Sequence, residues 1–88
     1  MQVDFTKRFS RQLDREHDTV LLDKLRTVVS MVMDAATVQD ILGLKKMKGH
    51  PSAYRIRLGD YRIGIFIEDG RVLFAAFEHR KDIYNKFP

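Results

Sequence analysis

The stretch Tyr54-Arg55-Ile56-Arg57-Leu58-Gly59-Asp60-Tyr61-Arg62-Ile63-Gly64-Ile65-Phe66-Ile67-Glu68-Asp69-Gly70-Arg71-Val72-Leu73-Phe74 decides the fold. Tyr54, Ile56 and Leu58 alternate with Arg55 and Arg57, the period of two expected of a half-buried strand. After Gly59-Asp60, Tyr61, Ile63, Ile65 and Ile67 alternate with Arg62, Gly64, Phe66 and Glu68. Gly59-Asp60 reads as a two-residue turn with glycine first, and Asp69-Gly70 is a strong hairpin signal. A further strand is expected from Arg71 to Glu78, so two linked hairpins make an antiparallel sheet.

Two-residue turns set the register. Leu58 faces Tyr61, Arg57 faces Arg62, Ile56 faces Ile63 and Arg55 faces Gly64. Across the second turn Ile67 faces Val72, Ile65 faces Phe74 and Arg62 faces Phe77. Tyr54, Ile56, Leu58, Tyr61, Ile63, Ile65, Ile67, Val72, Phe74 and Ala76 then share one face, the floor for any helices. Arg55, Arg57, Arg62 and Phe77 share the other, with His79 continuing their parity. A one-residue slip would bury the arginines, so the register is well specified. Like charges directly opposite each other destabilise a sheet, and a chain that tolerates them is expected to use the positive field. Phe66, Leu73 and Ala75 add an apolar end to the arginine face. That face offers two jobs, an anion site and a protein-binding site.

Upstream, the pattern is helical. Gln2 to Phe5 alternates weakly and reads as a short first strand. Phe5, Phe9 and Leu13 recur at helical spacing with Lys7, Arg8, Arg11 and Arg15 around them. Glu16-His17-Asp18-Thr19 ends that helix, and Asp18 or Thr19 can cap a second one from about Val20 to Asp34. Leu21, Leu25, Val28 and Val32 form its main stripe, so the two helices make an α-hairpin. Thr37 to Leu42 reads as an extra helical turn closed by Gly43, Lys45-Lys46-Met47-Lys48-Gly49 as a loop, and His79 to Lys86 as a terminal helix or turn.

The composition bounds the answer. At 88 residues the chain has room for one domain, residues 1–88, with 44% hydrophobic residues to build its core. Charged residues make up 32%, no apolar run approaches the roughly 18 residues of a membrane span, and the start lacks the pattern of a secretory signal. The absence of cysteine removes thiolate chemistry and fits a reducing compartment, so a soluble cytoplasmic domain is expected. Residues 1–44 carry six basic residues against seven acidic, whereas residues 45–88 carry ten against five. From Lys45 to Arg62 only Asp60 opposes six basic residues, a surplus that attracts polyanions or an acidic partner, or else forms a solvated face.

Lys45-Lys46-Met47-Lys48-Gly49, then Tyr54 to Ile63, then His79-Arg80-Lys81-Asp82-Ile83-Tyr84 resembles, in this order and spacing, the RelE/ParE superfamily of toxins from prokaryotic toxin–antitoxin modules. The resemblance spans essentially the whole chain. It implies an α/β (α+β) microdomain, a twisted antiparallel sheet with an N-terminal helical hairpin on one face. Arg55, Arg57, Arg62, His79-Arg80 and Tyr84 fall where the RelE-like branch has its site. That branch comprises ribosome-dependent endoribonucleases cleaving messenger RNA; the ParE-like branch poisons DNA gyrase without nuclease chemistry. Two departures stand out: well-studied RelE-like members have lysines in place of Arg55 and Arg57, and no histidine in place of His79.

Cleaving RNA through its own 2′-hydroxyl needs a base, charge stabilisation at phosphorus and an acid for the leaving 5′-oxygen. Arginine stays protonated but its planar fork suits phosphate oxygens, so Arg55 and the catalytic Arg57 and Arg62 are assigned to phosphate. His79 is the expected base or acid near neutral pH. Arg80 or Tyr84 would support the leaving oxygen, or Tyr84 would stack on a base. Lys45, Lys46 and Lys48 would contact RNA backbone, and Phe66 and Leu73 would bind the antitoxin, expected to be acidic and amphipathic. The alternatives are a solvated edge for Arg55 and Arg57, a packing role for Tyr84, and a structural His79. His17 and His50 lie in polar loops without a second ligand at metal spacing, so no metal and no cofactor is expected. The implied partners are the antitoxin, the ribosome and its messenger RNA, and operator DNA only through the antitoxin complex; no membrane is implied. A gyrase-directed toxin and a module retaining only antitoxin binding remain the other readings.

Overall fold

In the computed structural model, which describes residues 1–88, the chain order is β1 (Gln2–Phe5), α1 (Lys7–Arg15), α2 (Thr19–Asp34), a short 3-10 turn (Val38–Asp40), β2 (Leu44–Lys46), β3 (Ala53–Leu58), β4 (Tyr61–Glu68), β5 (Arg71–His79) and α3 (Ile83–Lys86). The strands form one sheet in the order β1-β5-β4-β3-β2. The β3–β4 register is the one the two-residue turn dictates, with Arg57 opposite Arg62 and Arg55 opposite Gly64. Asp69 and Gly70 both have positive φ, 51° and 74°, which is what a hairpin turn with the right twist requires.

The helices start where side chains can satisfy their free amides. Thr6 accepts from the Phe9 amide at 3.1 Å, and Asp18 rather than Thr19 caps α2, accepting from Leu21 at 3.0 Å. Phe9, Leu25 and Val32 from the helices meet Ile56, Ile63, Ile65, Val72, Phe74 and Phe77 from the sheet. Phe9, Ile63, Ile65 and Phe74 are wholly excluded from water, each contributing about 1.5–3 kcal/mol of burial.

The structure corrects the expected register beyond Gly64. Gly64 pairs with Ala76 while Ile65 pairs with Phe74, so Ala75 is an extra residue in β5. The bulge reverses the faces that follow. Arg62 stands opposite Glu78 instead of Phe77, Phe77 stands opposite Ile63 in the main core, and His79 stands opposite Tyr61. The physical gain is plain: the large Phe77 is buried among the helices and the small Ala76 takes the other face.

Other differences are local. β1 runs parallel to β5, so the sheet has one parallel edge. It covers β5 only as far as Phe74; beyond that the Gln12 side chain of α1 accepts from the Phe77 amide at 2.9 Å. Lys45 and Lys46 belong to β2, an edge strand hydrogen-bonded to β3, rather than to a loop. The Thr37–Leu42 segment tightens to a 3-10 turn, with Asp40 accepting from the amides of Ala36 and Thr37. α3 folds over the face of the sheet away from the helical hairpin. There Ile83 and Phe87 make a second small core with Met47, Ala53, Ala75 and Ala76.

Candidate functional site

Arg57 and Arg62 point to the same face from adjacent strands, and Arg55 shares that face two residues earlier on β3. Arg62 is half-buried; its Nη1 donates to the carbonyls of Gly59 at 2.7 Å and Tyr61 at 2.8 Å, folding the guanidinium against the β3–β4 turn. Arg55 donates from Nη1 to the Gly43 carbonyl at 3.0 Å, while its Nε is enclosed without a partner. The acidity of Arg62 reports its company. Burial first, then the charges of Arg55 and Arg57, hold its pKa below the usual arginine value; Arg80 adds to this and Tyr84 opposes it. Arg55, Arg57, Arg62, Arg80 and Tyr84 are therefore gathered into one cluster.

Little negative charge neutralises the cluster. Glu78 lies across from Arg62, but its carboxylate accepts from Arg8 at 2.9 Å and from Gln12 and stands 3.9 Å from Lys86. Asp60 approaches Arg80 at 4.0 Å, on a largely exposed side chain where such a pair is weak.

His79 does not join the arginines. The bulge puts it beside Tyr61, whose ring it meets edge-on at 5.6 Å between centroids, and its Nδ1 accepts from the Lys81 amide at 3.2 Å. Tyr84 is exposed, and with Lys45, Lys46, Met47, Lys48, Phe87 and Pro88 it lines a pocket of about 330 Å³. Tyr84 thus stands between the arginine cluster and the lysines. Lys46 donates to the carbonyls of His50 and Pro51 and lies 4.9 Å over the Tyr54 ring, so its charge is tethered; Lys45 and Lys48 remain exposed.

Phe66 and Leu73 are cross-strand neighbours on β4 and β5, as the hairpin requires. The Phe66 ring is covered in part by Phe87 and His50, each 5.0 Å away between centroids. With Asp4, Glu68, Asp69 and Arg71 the two residues line a groove of about 720 Å³. Phe87, seated over Gly64, separates this groove from the arginines. The apolar strip is therefore bordered by carboxylates, where the sequence placed it beside a basic patch.

Residue spacing alone did not reveal the carbonyl of Gly43 that holds Arg55, or the contact between Gly64 and Phe87. A glycine inside a strand was the available signal for the second, since it often marks a close approach.

No family model matches the chain. A relative named Toxin RelE3, from Methanocaldococcus jannaschii, is 34% identical over 89 residues that span 100% of both chains. This chain belongs to the RelE toxin family. Among solved structures, the RelB–RelE antitoxin–toxin complex from Methanococcus jannaschii superposes on this RelE-family chain with a TM-score of 0.78 at 30% identity, covering 97% of this chain and 99% of that one. The intact Escherichia coli RelBE complex shares the RelE fold with a TM-score of 0.64 at 20% identity, covering 89% and 94%. The RelE toxin of a toxin–antitoxin pair is thus the frame in which the arginine cluster is to be read.

Proposed function

We propose that this RelE-family toxin inhibits translation by cutting messenger RNA on the ribosome, using Arg57, Arg62, Arg80 and Tyr84 as its catalytic face. The observation that carries the reading is the set of four arginines, with Arg55, Arg57 and Arg80 bearing on Arg62 and Tyr84 within reach of it, left almost without counter-charge. Such a cluster is costly to the fold and suits a phosphate whose charge grows in the transition state. The 2′-oxygen attacks phosphorus and the bond to the 5′-oxygen breaks, leaving a 2′,3′-cyclic phosphate and a 5′-hydroxyl. Guanidinium groups supply the positive charge at phosphorus. The Tyr84 hydroxyl can both donate and accept, so it is the group in the cluster suited to moving a proton at the 5′-oxygen or the 2′-hydroxyl. The position of His79 beside Tyr61 argues against it as the general base. The poverty of proton-transfer groups favours dependence on the ribosome to position the RNA.

Lys45 and Lys48, with the tethered Lys46, would hold backbone phosphates next to the cut, and Arg55 would add charge behind it. A cognate antitoxin is the natural partner, with Phe66 and Leu73 offering apolar contact in their groove. Primer extension on translated messages after induction tests the reading. Discrete cuts within coding regions support it, whereas DNA-damage signalling without cuts would favour a gyrase-directed toxin. Absence of both effects would leave antitoxin binding as the role.

A further inference from the structure

α3 carries Tyr84 and is four residues long, too short to hold its own shape in water. Its place is set by what grips it. The Phe87 ring lies flat on the backbone of Gly64: a Cβ at residue 64 would meet the ring's Cδ2 at 2.6 Å, Cγ at 2.7 Å and Cδ1 at 2.9 Å. Gly64 lies in β4 at the register shift but outside the positive-φ set, so the contact, and not its φ, is what excludes a side chain there. Phe87 is 3% exposed and Ile83 fully buried in the same small core. The second grip comes from the helical hairpin. Arg8 of α1 donates from Nη1 to the Lys86 carbonyl and from Nη2 to Glu78, both at 2.9 Å, tying α3 to α1 through a buried carboxylate on β5.

We propose that Gly64, Phe87 and Arg8 are positioning residues that hold Tyr84 against the arginine cluster. The proposal rests on the RNA-cleaving reading for its catalytic consequence. Gly64 lies between Arg62 and Phe66 on β4, so a ring seated on it fixes α3 beside Arg62. Arg8 makes no hydrogen bond to the arginines; it acts through the end of α3 and through Glu78, whose carboxylate it holds and which stands opposite Arg62.

The test is allele-specific repair. Gly64→Ala pushes Phe87 off the sheet, and Phe87→Ala removes Cγ, Cδ1 and Cδ2, the ring atoms that would clash. On programmed ribosomes, Gly64→Ala should lower the single-turnover cleavage rate by about 10²-fold with little change in half-saturating ribosome concentration, the cost of a displacement near 1 Å. Phe87→Ala in the Gly64→Ala background should recover part of that loss, because the new methyl then lies where the ring lay. Arg8→Lys keeps a charge for Glu78 but cannot also reach the Lys86 carbonyl, and should slow cleavage by roughly tenfold with the same KM. The ring resonances of Tyr84, followed by NMR in each purified variant, should shift or broaden in Gly64→Ala and Arg8→Lys and return in the double variant. Parent-like cleavage and an unmoved Tyr84 signal in Gly64→Ala and Arg8→Lys would overturn the proposal. So would a double variant that folds as the parent does yet stays as slow as Gly64→Ala. If the parent itself cuts no RNA, the functional reading fails, while the Tyr84 signal still decides whether the grip holds.

Discussion

Arg57 and Arg62 stand directly opposite each other on neighbouring strands, and neither forms an ion pair with a carboxylate. The arrangement costs the sheet stability through repulsion, and after burial and Arg55 it is Arg57 that helps to lower the pKa of Arg62. Removing one member should therefore relieve the fold as it disables the site. Arg62→Ala is expected to slow ribosome-dependent cleavage by about 10²–10³-fold, the scale for losing one preorganised donor. Its melting temperature should stay within about 3 °C of the parent, because relief of the repulsion offsets the hydrogen bonds lost to the Gly59 and Tyr61 carbonyls. Full toxicity in that variant would refute the assignment.

His79 tests the consequence of the bulge. A general base contributes roughly 10²–10⁴-fold to rate, so its loss cannot pass unnoticed. Since His79 packs against Tyr61 and not among the arginines, His79→Gln should retain cleavage to within about threefold, well below that range. A drop of the full size in a single-turnover assay would return the histidine to the chemistry.

Asp40 carries the other altered acidity. The Thr37 amide, then the Thr37 hydroxyl, hold its carboxyl below the ordinary value of 3.8, with the Ala36 amide helping and burial opposing. A carboxyl with a lowered folded-state pKa stabilises the fold fully above its unfolded pKa, and that contribution fades as pH falls through the lowered one. Asp40→Asn should therefore melt below the parent near neutral pH, and the difference should shrink as pH falls below the ordinary carboxyl value of 3.8. Thermal melts of both proteins across that range read this directly; a difference that persists in acid would place its origin elsewhere.

Leu73 probes the partner surface with less damage than Phe66, whose ring also supports Phe87. Leu73→Asp should weaken antitoxin binding by tenfold or more, about the loss of one apolar anchor, whereas Lys46→Ala should change it little. Raised salt should slow association more than it speeds release. Unchanged affinity in the Leu73 variant, measured by titration calorimetry, would move the antitoxin to the helical hairpin.

Much of this molecule could be read from its residues because local rules and burial agreed. Asp69-Gly70 and Gly59-Asp60 permit few turns, and the isoleucines of β4 leave one register that keeps arginines out of the core. Ala75 and Ala76 were opaque for the opposite reason. Two small residues in succession leave the alternation without a preference, and only the competition between Phe77 and Ala76 for the core decides where the extra residue falls. That one ambiguity put His79 on the arginine face, whereas the bulge turns it to the side of Tyr61. The lysines of β2 were illegible as a strand because β2 has three residues and glycines on both flanks. Arg57, Arg62, Arg80 and Tyr84 were legible as candidates, and the other three all bear on the charge of Arg62. What holds Tyr84 there depends on Arg8, far away in the chain, and no spacing rule reaches that distance.

The parallel pairing of β1 with β5 has a consequence in time. Thr6, just after β1, donates to the carbonyl of Ala75 across 69 residues of chain, and Gln2 to Phe5 find their partners only in Arg71 to Phe74. Contacts of such separation cannot form while the intervening chain is still being made, and they slow folding afterwards. The first strand translated must wait for the last. During synthesis, then, Phe9 has no Phe74 to close over it, and Arg57 and Arg62 are exposed before Arg80 and Tyr84 exist beside them. A chain of this design completes the surroundings of Arg62, and the pairing of Phe66 with Leu73, only when its last residues have emerged.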